Sequence, residues 1–492
     1  MSVSTELQDV AAAFRATMPA NSHVSVFRID ALDRIGIPVM QANLIQRDEP
    51  ATTGYGYGFE PIEAEVGALG ELCEEVHVGA WVKRMPGILA SYAALCRERG
   101  TAGVIDPLTL CLPAGSAWTP DMRLTWVEAR RWPSGEPVMV PREWVAAYPY
   151  QLGEPPRLIT PITNGLGAGL DLPHAIAHGL MELLQRDGNV VTYRALDQGV
   201  VVEPDAVEEA EVAALLAHIR SLGIAVTLKL AGTDFGISNL YVVGDDAGTP
   251  TVPVQVTSCG EAAHPDRARG LRKALLEFCG SRSRKAATHG PIALIGAALP
   301  AEYVERQIGV AMLEEEEGRA LEAMAEWITK DAAELRHRLA GNVFSARQWV
   351  PLSALPTTPG TALTESGDRL RFLTARLAEA GMAPLVIDCS PAGSPVRVVK
   401  TIVPGLESET MSYHRIGWRG ARRLRERGDA LLLDAPREGA QRVRLRPEDE
   451  AKAGGPAWFD VRLAERIVGQ LYPLYRECGT FSARLLLQRR AA

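Results

Sequence analysis

The sequence predicts an α+β chain, and three observations carry that prediction. The centre runs helix, strand, strand, strand, helix rather than alternating, with IAVTLKLAG, NLYVVGD and TVPVQVTSC as the strand candidates. Near the start, HVSVFRI and IPVMQANLI read as two strands broken at LDRIG, where Asp33 and Gly36 supply turn chemistry. Later, GMAPLVIDCS and PVRVVKTIVPG read as two more, before a turn at Pro404 and Gly405. This order suits α+β layers better than a doubly wound sheet.

Helical periodicity covers residues 60 to 77, 172 to 188, 205 to 222 and 268 to 286. The acidic run LEEEEGRALEAMAEWITKDAAELRHRL, 313 to 339, has charges on most faces and reads as one helix, a solvated spacer or a cover. Beyond about residue 430 the chain is rich in Arg and Pro until the amphipathic stretch RLAERIVGQLYPLYREC. The expected division is an N-terminal segment 1–25, a main domain 26–430 and a C-terminal extension 431–492.

A chain of 492 residues with 47% hydrophobic and 23% charged residues is globular and long enough for one large or several ordinary domains. The net charge of -8 and scattered basic residues offer no footprint for nucleic acid. Seven cysteines without a CxxC pair argue for free thiols rather than disulfides or zinc. The N-terminus lacks the basic start and apolar core of a secretory signal. The best apolar run, PIALIGAALP, falls far short of the roughly 18 residues of a membrane span. A cytoplasmic protein, off the membrane, is expected.

Three helices repeat one pattern: ALGELC at Ala68, GLMELL at Gly179 and ALLEFC at Ala274. Each has a small residue, Leu, a variable position, Glu and two apolar residues. A lone carboxylate in an apolar stripe costs several kcal/mol unless it is paired or bound to a cation. Glu71, Glu182 and Glu277 are therefore either ordinary salt-bridge partners or convergent ligands of a hard cation such as Mg²⁺. Glu74 lies one turn after Glu71, and Arg186 and Arg282 follow the other two, where they could clamp phosphate. Glycine-rich TGYGYG and TNGLGAG precede two of the helices, the second with Asp171 as N-cap and Pro173 in the first turn. These are phosphate-cradling turns or simply tight connections; neither is a Walker A sequence.

The ordered segments FRIDALDRIGIPV, GYGFEPIEAEVGALGELCEE, ITNGLGAGLDLPHAIAHGLMELLQRDG, AAHPDRARGLRKALLEFCGSRSR, VVKTIVPGLE and RIGWRG resemble the YcaO-domain enzymes from about Phe27 to Arg419. The resemblance implies a YcaO-like fold of mixed and antiparallel sheets, with the three Glu-bearing helices around a central nucleotide cavity. It implies ATP and Mg²⁺ as cofactors and phosphorylation of a peptide-backbone amide oxygen. A side-chain nucleophile then gives an azoline, sulfide a thioamide, or an amine an amidine. By position, Glu71, Glu74, Glu182 and Glu277 would be metal ligands, and Glu182, Arg186, Glu277 and Arg282 the catalytic set. Glu71, Glu74, Asn164, Gly165, Gln185 and His264 would contact the nucleotide.

The pattern departs from the family at Gly67, Glu75, Leu170, His174, Gln185 and Gly280, so the alternative is a degenerate scaffold that binds nucleotide or peptide without turnover. The ending SARLLLQRRAA lacks the PxPxP tail of azoline-forming members, which favours thioamide or amidine formation. Expected partners are a peptide substrate and a leader-binding or sulfur-delivery protein; a homodimer is one expected assembly. His174 and His178, four apart, lack an evident third metal ligand, and Cys73 and Cys279 read as packing residues.

Overall fold

The structure is a computed structural model, and it describes all residues except 1–2, 47–50, 154–156, 191–193, 249, 310, 312 and 409–412. The chain forms two compact units, each discontinuous in sequence. The first comprises Met1–Cys73, Thr192–Gly360 and Gln470–Ala492; the second comprises Glu74–Val191 and Thr361–Gly469. Residues 470–492 belong to the first unit.

In the first unit His23–Arg28, Val39–Ile45 and Thr52–Tyr57 form an antiparallel meander. A five-stranded sheet runs in the order Cys259–His264, Ser238–Asp246, Ile224–Gly232, Val200–Glu203, Gln348–Pro351, antiparallel except for its last pair. The helix Arg267–His289 buries Leu271, Ala274, Leu275 and Phe278 in the core of this unit.

TVPVQVTSC is not a strand. Pro253 removes a ladder donor, and the Gln255 Oε1 accepts from Val252 N at 2.9 Å, so Pro253–Thr257 closes into a 3₁₀ turn and the strand starts at Cys259. The acidic run is two helices, Gly318–Trp327 and Ala332–Leu339, parted by an Asp331–Glu334 capping box with bonds of 2.8 and 3.0 Å. Ala320, Leu321, Met324, Leu335 and Leu339 are buried, so the run is a cover and not a solvated spacer.

In the second unit a sheet runs Ile88–Ser91, Arg123–Arg131, Leu385–Asp388, Arg397–Ile402, Leu166–Gly169, with Pro137–Pro141 also paired to Arg123–Arg131. The helix Leu172–Asn189 lies against the last two of those strands. Asp171 caps it as expected, its Oδ1 accepting from His174 N at 2.7 Å. A smaller sheet orders Leu432–Leu433, Trp458–Asp460 and Ala440–Arg442.

TGYGYG is a strand and not a turn. A Cβ on Gly56 would lie 1.9 Å from the Ala64 carbonyl oxygen of the helix Pro61–Arg84, so strand and helix touch backbone to backbone. Gly167 meets the helix Leu172–Asn189 in the same way, 2.0 Å from Ala175 O. The glycines in both segments are the contact surface for the Glu-bearing helices.

Candidate nucleotide and metal site

That close contact explains how a carboxylate survives between apolar neighbours. Ala68, Leu69, Leu72 and Cys73 are buried, whereas Glu71 is only partly so, and its Oε2 accepts from Tyr55 N at 2.6 Å on the facing strand. Glu182 repeats the device: its Oε2 accepts from Gly165 N at 2.8 Å, and its Oε1 from Arg186 Nη2 at 3.3 Å. Glu277 accepts from the Tyr57 hydroxyl at 2.7 Å. Each carboxylate thus grips the glycine-bearing segment its helix faces, or a side chain from such a segment, a charge-assisted arrangement that offsets desolvation.

In the first unit Glu71, Glu277 and Glu261 gather around Tyr57. Burial raises that phenol well above its usual range, and the Glu277 charge raises it further. Glu261, on the strand Cys259–His264, pairs with Arg194 at 2.8 Å. Neither Tyr57 nor Glu261 was singled out in the sequence; a Glu amid the apolar residues of a strand was the available signal.

Arg282, expected beside a phosphate, is engaged by two carboxylates. It is fully buried and donates to Asp33 through Nε and Nη2 and to Asp246 through Nη2, each at 2.9 Å. Two positions on, over half a helical turn away, Arg284 takes the side of Glu71 and Tyr55, its guanidinium 5.8 Å from the Tyr55 ring centroid. Arg284 is held by Glu477 at 2.9 and 3.1 Å, and Lys285 and His289 reach the same carboxylate at 2.8 Å.

In the second unit the Asn164–Gly165 turn is held from two sides. Gly165 has φ +84° and donates to Glu182, while its carbonyl accepts from Thr401 N at 2.7 Å. Gln185 is buried, and Glu74 approaches His178 Nε2 at 3.8 Å. Lys400, on the strand Arg397–Ile402, is also buried; burial pushes its ammonium down to about 8, against the opposing pull of Glu182.

His264 belongs to the first unit, where its Nδ1 accepts from Asp266 N at 2.9 Å and braces the start of the helix Arg267–His289. Burial lowers its pKa to about 4, so its ring is neutral near pH 7. The histidines and cysteines form no metal centre: among the described residues no group of three or more His, Cys, Asp or Glu is placed to hold a metal ion. All seven cysteines are free thiols.

Residues 55–407 match the model of a protein family described as YcaO cyclodehydratase, ATP- and Mg²⁺-binding. The chain belongs to the YcaO family. An uncharacterized protein of Methanothermobacter thermautotrophicus is 26% identical over 400 residues, 80% of this chain and 92% of that one. Among solved structures, a heterocyclase in complex with substrate and cofactor superposes with a TM-score of 0.60 at 17% identity, covering 82% of this chain and 52% of that one. This chain therefore spans about half of that heterocyclase. The YcaO protein of Methanopyrus kandleri bound with AMPPCP and Mg²⁺ superposes with a TM-score of 0.56 at 19% identity, covering 85% and 94%.

These likenesses establish the YcaO fold, α+β with mixed and antiparallel sheets, and family membership makes ATP and Mg²⁺ the cofactors. Glu71 and Glu277 belong to the first unit and Glu74 and Glu182 to the second, and among the described residues no three carboxylates are grouped to hold a metal ion. Each is a hard oxygen donor of the kind Mg²⁺ takes, and Arg186 adds a guanidinium beside Glu182. No described helix is long and apolar enough to cross a membrane.

Proposed function

We propose that this YcaO protein activates a peptide-backbone amide with ATP and Mg²⁺. The observation that carries the reading is the match of residues 55–407 to an ATP- and Mg²⁺-binding cyclodehydratase family. ATP supplies the phosphoryl group, which passes to the amide oxygen with release of ADP, and Mg²⁺ supplies charge neutralisation. A nucleophile then adds to the amide carbon and phosphate departs with the former amide oxygen. A Cys, Ser or Thr side chain gives an azoline, sulfide a thioamide and an amine an amidine.

Glu71, Glu74, Glu182 and Glu277 are the proposed metal ligands, and Asn164, Gly165, Gln185 and His264 the proposed nucleotide contacts. Glu182 fixes the Asn164–Gly165 turn and orients Arg186, so its role is electrostatic and positional. Arg284 replaces Arg282 as the proposed phosphate-facing cation of its helix, because the Arg282 side chain is fully buried whereas that of Arg284, although paired with Glu477, remains 30% exposed. Proposed partners are a peptide substrate and, for sulfur or leader delivery, a second protein; a homodimer is the proposed assembly.

Glu182→Ala tests the reading. Peptide- and Mg²⁺-dependent release of ADP and phosphate should fall at least a hundredfold, a loss of about 2.7 kcal/mol or more in transition-state stabilisation. Turnover unchanged in that variant would sink the assignment. The absence of a ready carboxylate cluster among the described residues, together with buried Gln185, favours one second reading, a scaffold that binds nucleotide or peptide without turnover. It predicts saturable ATP binding and no ADP release with any peptide.

A further inference from the structure

Among the described residues, two buried cations of the second unit have no counter-charge bonded to them. Lys400 and Arg415 are each 2% exposed, and both line one cavity of about 50 Å³ together with Asn164, Glu143, Glu407 and Trp144. Lys400 Nζ donates to the neutral carbonyl of Ile162 at 2.8 Å. Arg415 donates to the carbonyls of Cys111 and Leu110 at 2.7 and 3.0 Å, and its buried Nη1 has no partner among the described residues.

The two acids of the cavity wall are already used by backbone amides. Glu143 Oε2 accepts from Leu158 N and Ile159 N at 2.8 and 3.0 Å. Glu407 accepts from Gly417 N through Oε2 and Gly420 N through Oε1, at 2.8 and 2.7 Å, and from the Cys111 thiol at 3.4 Å. Burial raises the pKa of both, Glu143 to about 7, so the Glu143 carboxyl is partly protonated near neutral pH. A buried cation without a paired anion is strongly unfavourable, and a cavity lined by two such cations offers room for the missing counter-charge.

We propose that this cavity is a binding site for one small monovalent anion, placed beside Arg415 and Lys400, which both line it. Its volume has room for a halide or hydrosulfide. A second, wider cavity of about 380 Å³ shares Arg415 and Ile159 with it and supplies a neighbouring solvent space. A hydrosulfide occupant would be the sulfur nucleophile, and that source rests on the thioamide branch of the proposed function; the anion site itself does not.

Crystals of the full-length chain soaked in sodium bromide should give an anomalous peak beside Arg415 and Lys400, and the chain in solution should broaden the chloride NMR line. Lys400→Met should weaken chloride binding at least tenfold with an unchanged circular dichroism spectrum, and Arg415→Lys should weaken it less. Displacement of chloride by a tenfold lower concentration of hydrosulfide assigns the site to the nucleophile; displacement only at equal concentration assigns it to dissolved halide. No bromide peak in the cavity, or chloride broadening unchanged in both variants, overturns the proposal. Neither readout requires ATP turnover, so an inactive enzyme would count against the function and leave this result standing.

Discussion

At the residue scale, the glycines and the carboxylates are parts of one device. Gly56 brings its strand so near the helix Pro61–Arg84 that Glu71 can reach Tyr55 N, and Gly167 does the same where Glu182 reaches Gly165. Gly56→Ala puts a Cβ 1.9 Å from Ala64 O, and because a backbone atom cannot swing aside, strand and helix must part. The expected loss is about 1–3 kcal/mol in denaturant unfolding. A variant as stable as the parent would show that the contact is looser than described. The sequence made Glu71, Glu182 and Glu277 visible as oddities, but it could not say that a facing amide or phenol holds each one, in Glu182 together with the Arg186 salt bridge. Arg282 and Arg284 show the same limit, since two positions on a helix differ by about 200° and only the packed partners reveal which faces Asp33.

At the element scale, the helices were legible because their periodicity and caps agree. The helix expected over 172–188 spans Leu172–Asn189, begun by Asp171 and Pro173. Asp171→Ala should cost about 1 kcal/mol of unfolding free energy, because His174 N loses its acceptor. An unchanged denaturation midpoint would mean that another group takes over the cap. Strands IAVTLKLAG and NLYVVGD were equally clear, whereas TVPVQVTSC misled because β-branched residues outvoted one proline. TGYGYG misled in the opposite direction: glycine usually punctuates turns, and here it allows close packing within a strand.

At the scale of the whole molecule, the chain returns on itself, and no local pattern announced it. Residues 470–492 join the first unit, where Glu477 receives Arg284, Lys285 and His289. Burial alone would raise the pKa of Glu477, but those three cationic or donor groups outweigh it and hold the carboxyl well below 4.5. A carboxyl depressed in the folded state contributes stability that is present above its unfolded pKa and lost as pH falls through the folded value. The Glu477 contribution is therefore full at neutral pH and lost progressively below about 4.5. Glu477→Gln should be less stable at pH 7 and show a flatter loss of stability on acidification. Parallel stability–pH curves for the two proteins would contradict this.

Membership of the YcaO family sets the cofactors, and the central claim is that the carboxylates of these three helices serve them. The most direct test is a crystal structure of the full-length chain with a non-hydrolysable ATP analogue and Mg²⁺. The account predicts metal-bound oxygens from Glu71, Glu74, Glu182 or Glu277, with Glu182 among them, and the nucleotide phosphates beside Arg186. Nucleotide and metal bound with none of these carboxylates as ligands would contradict it.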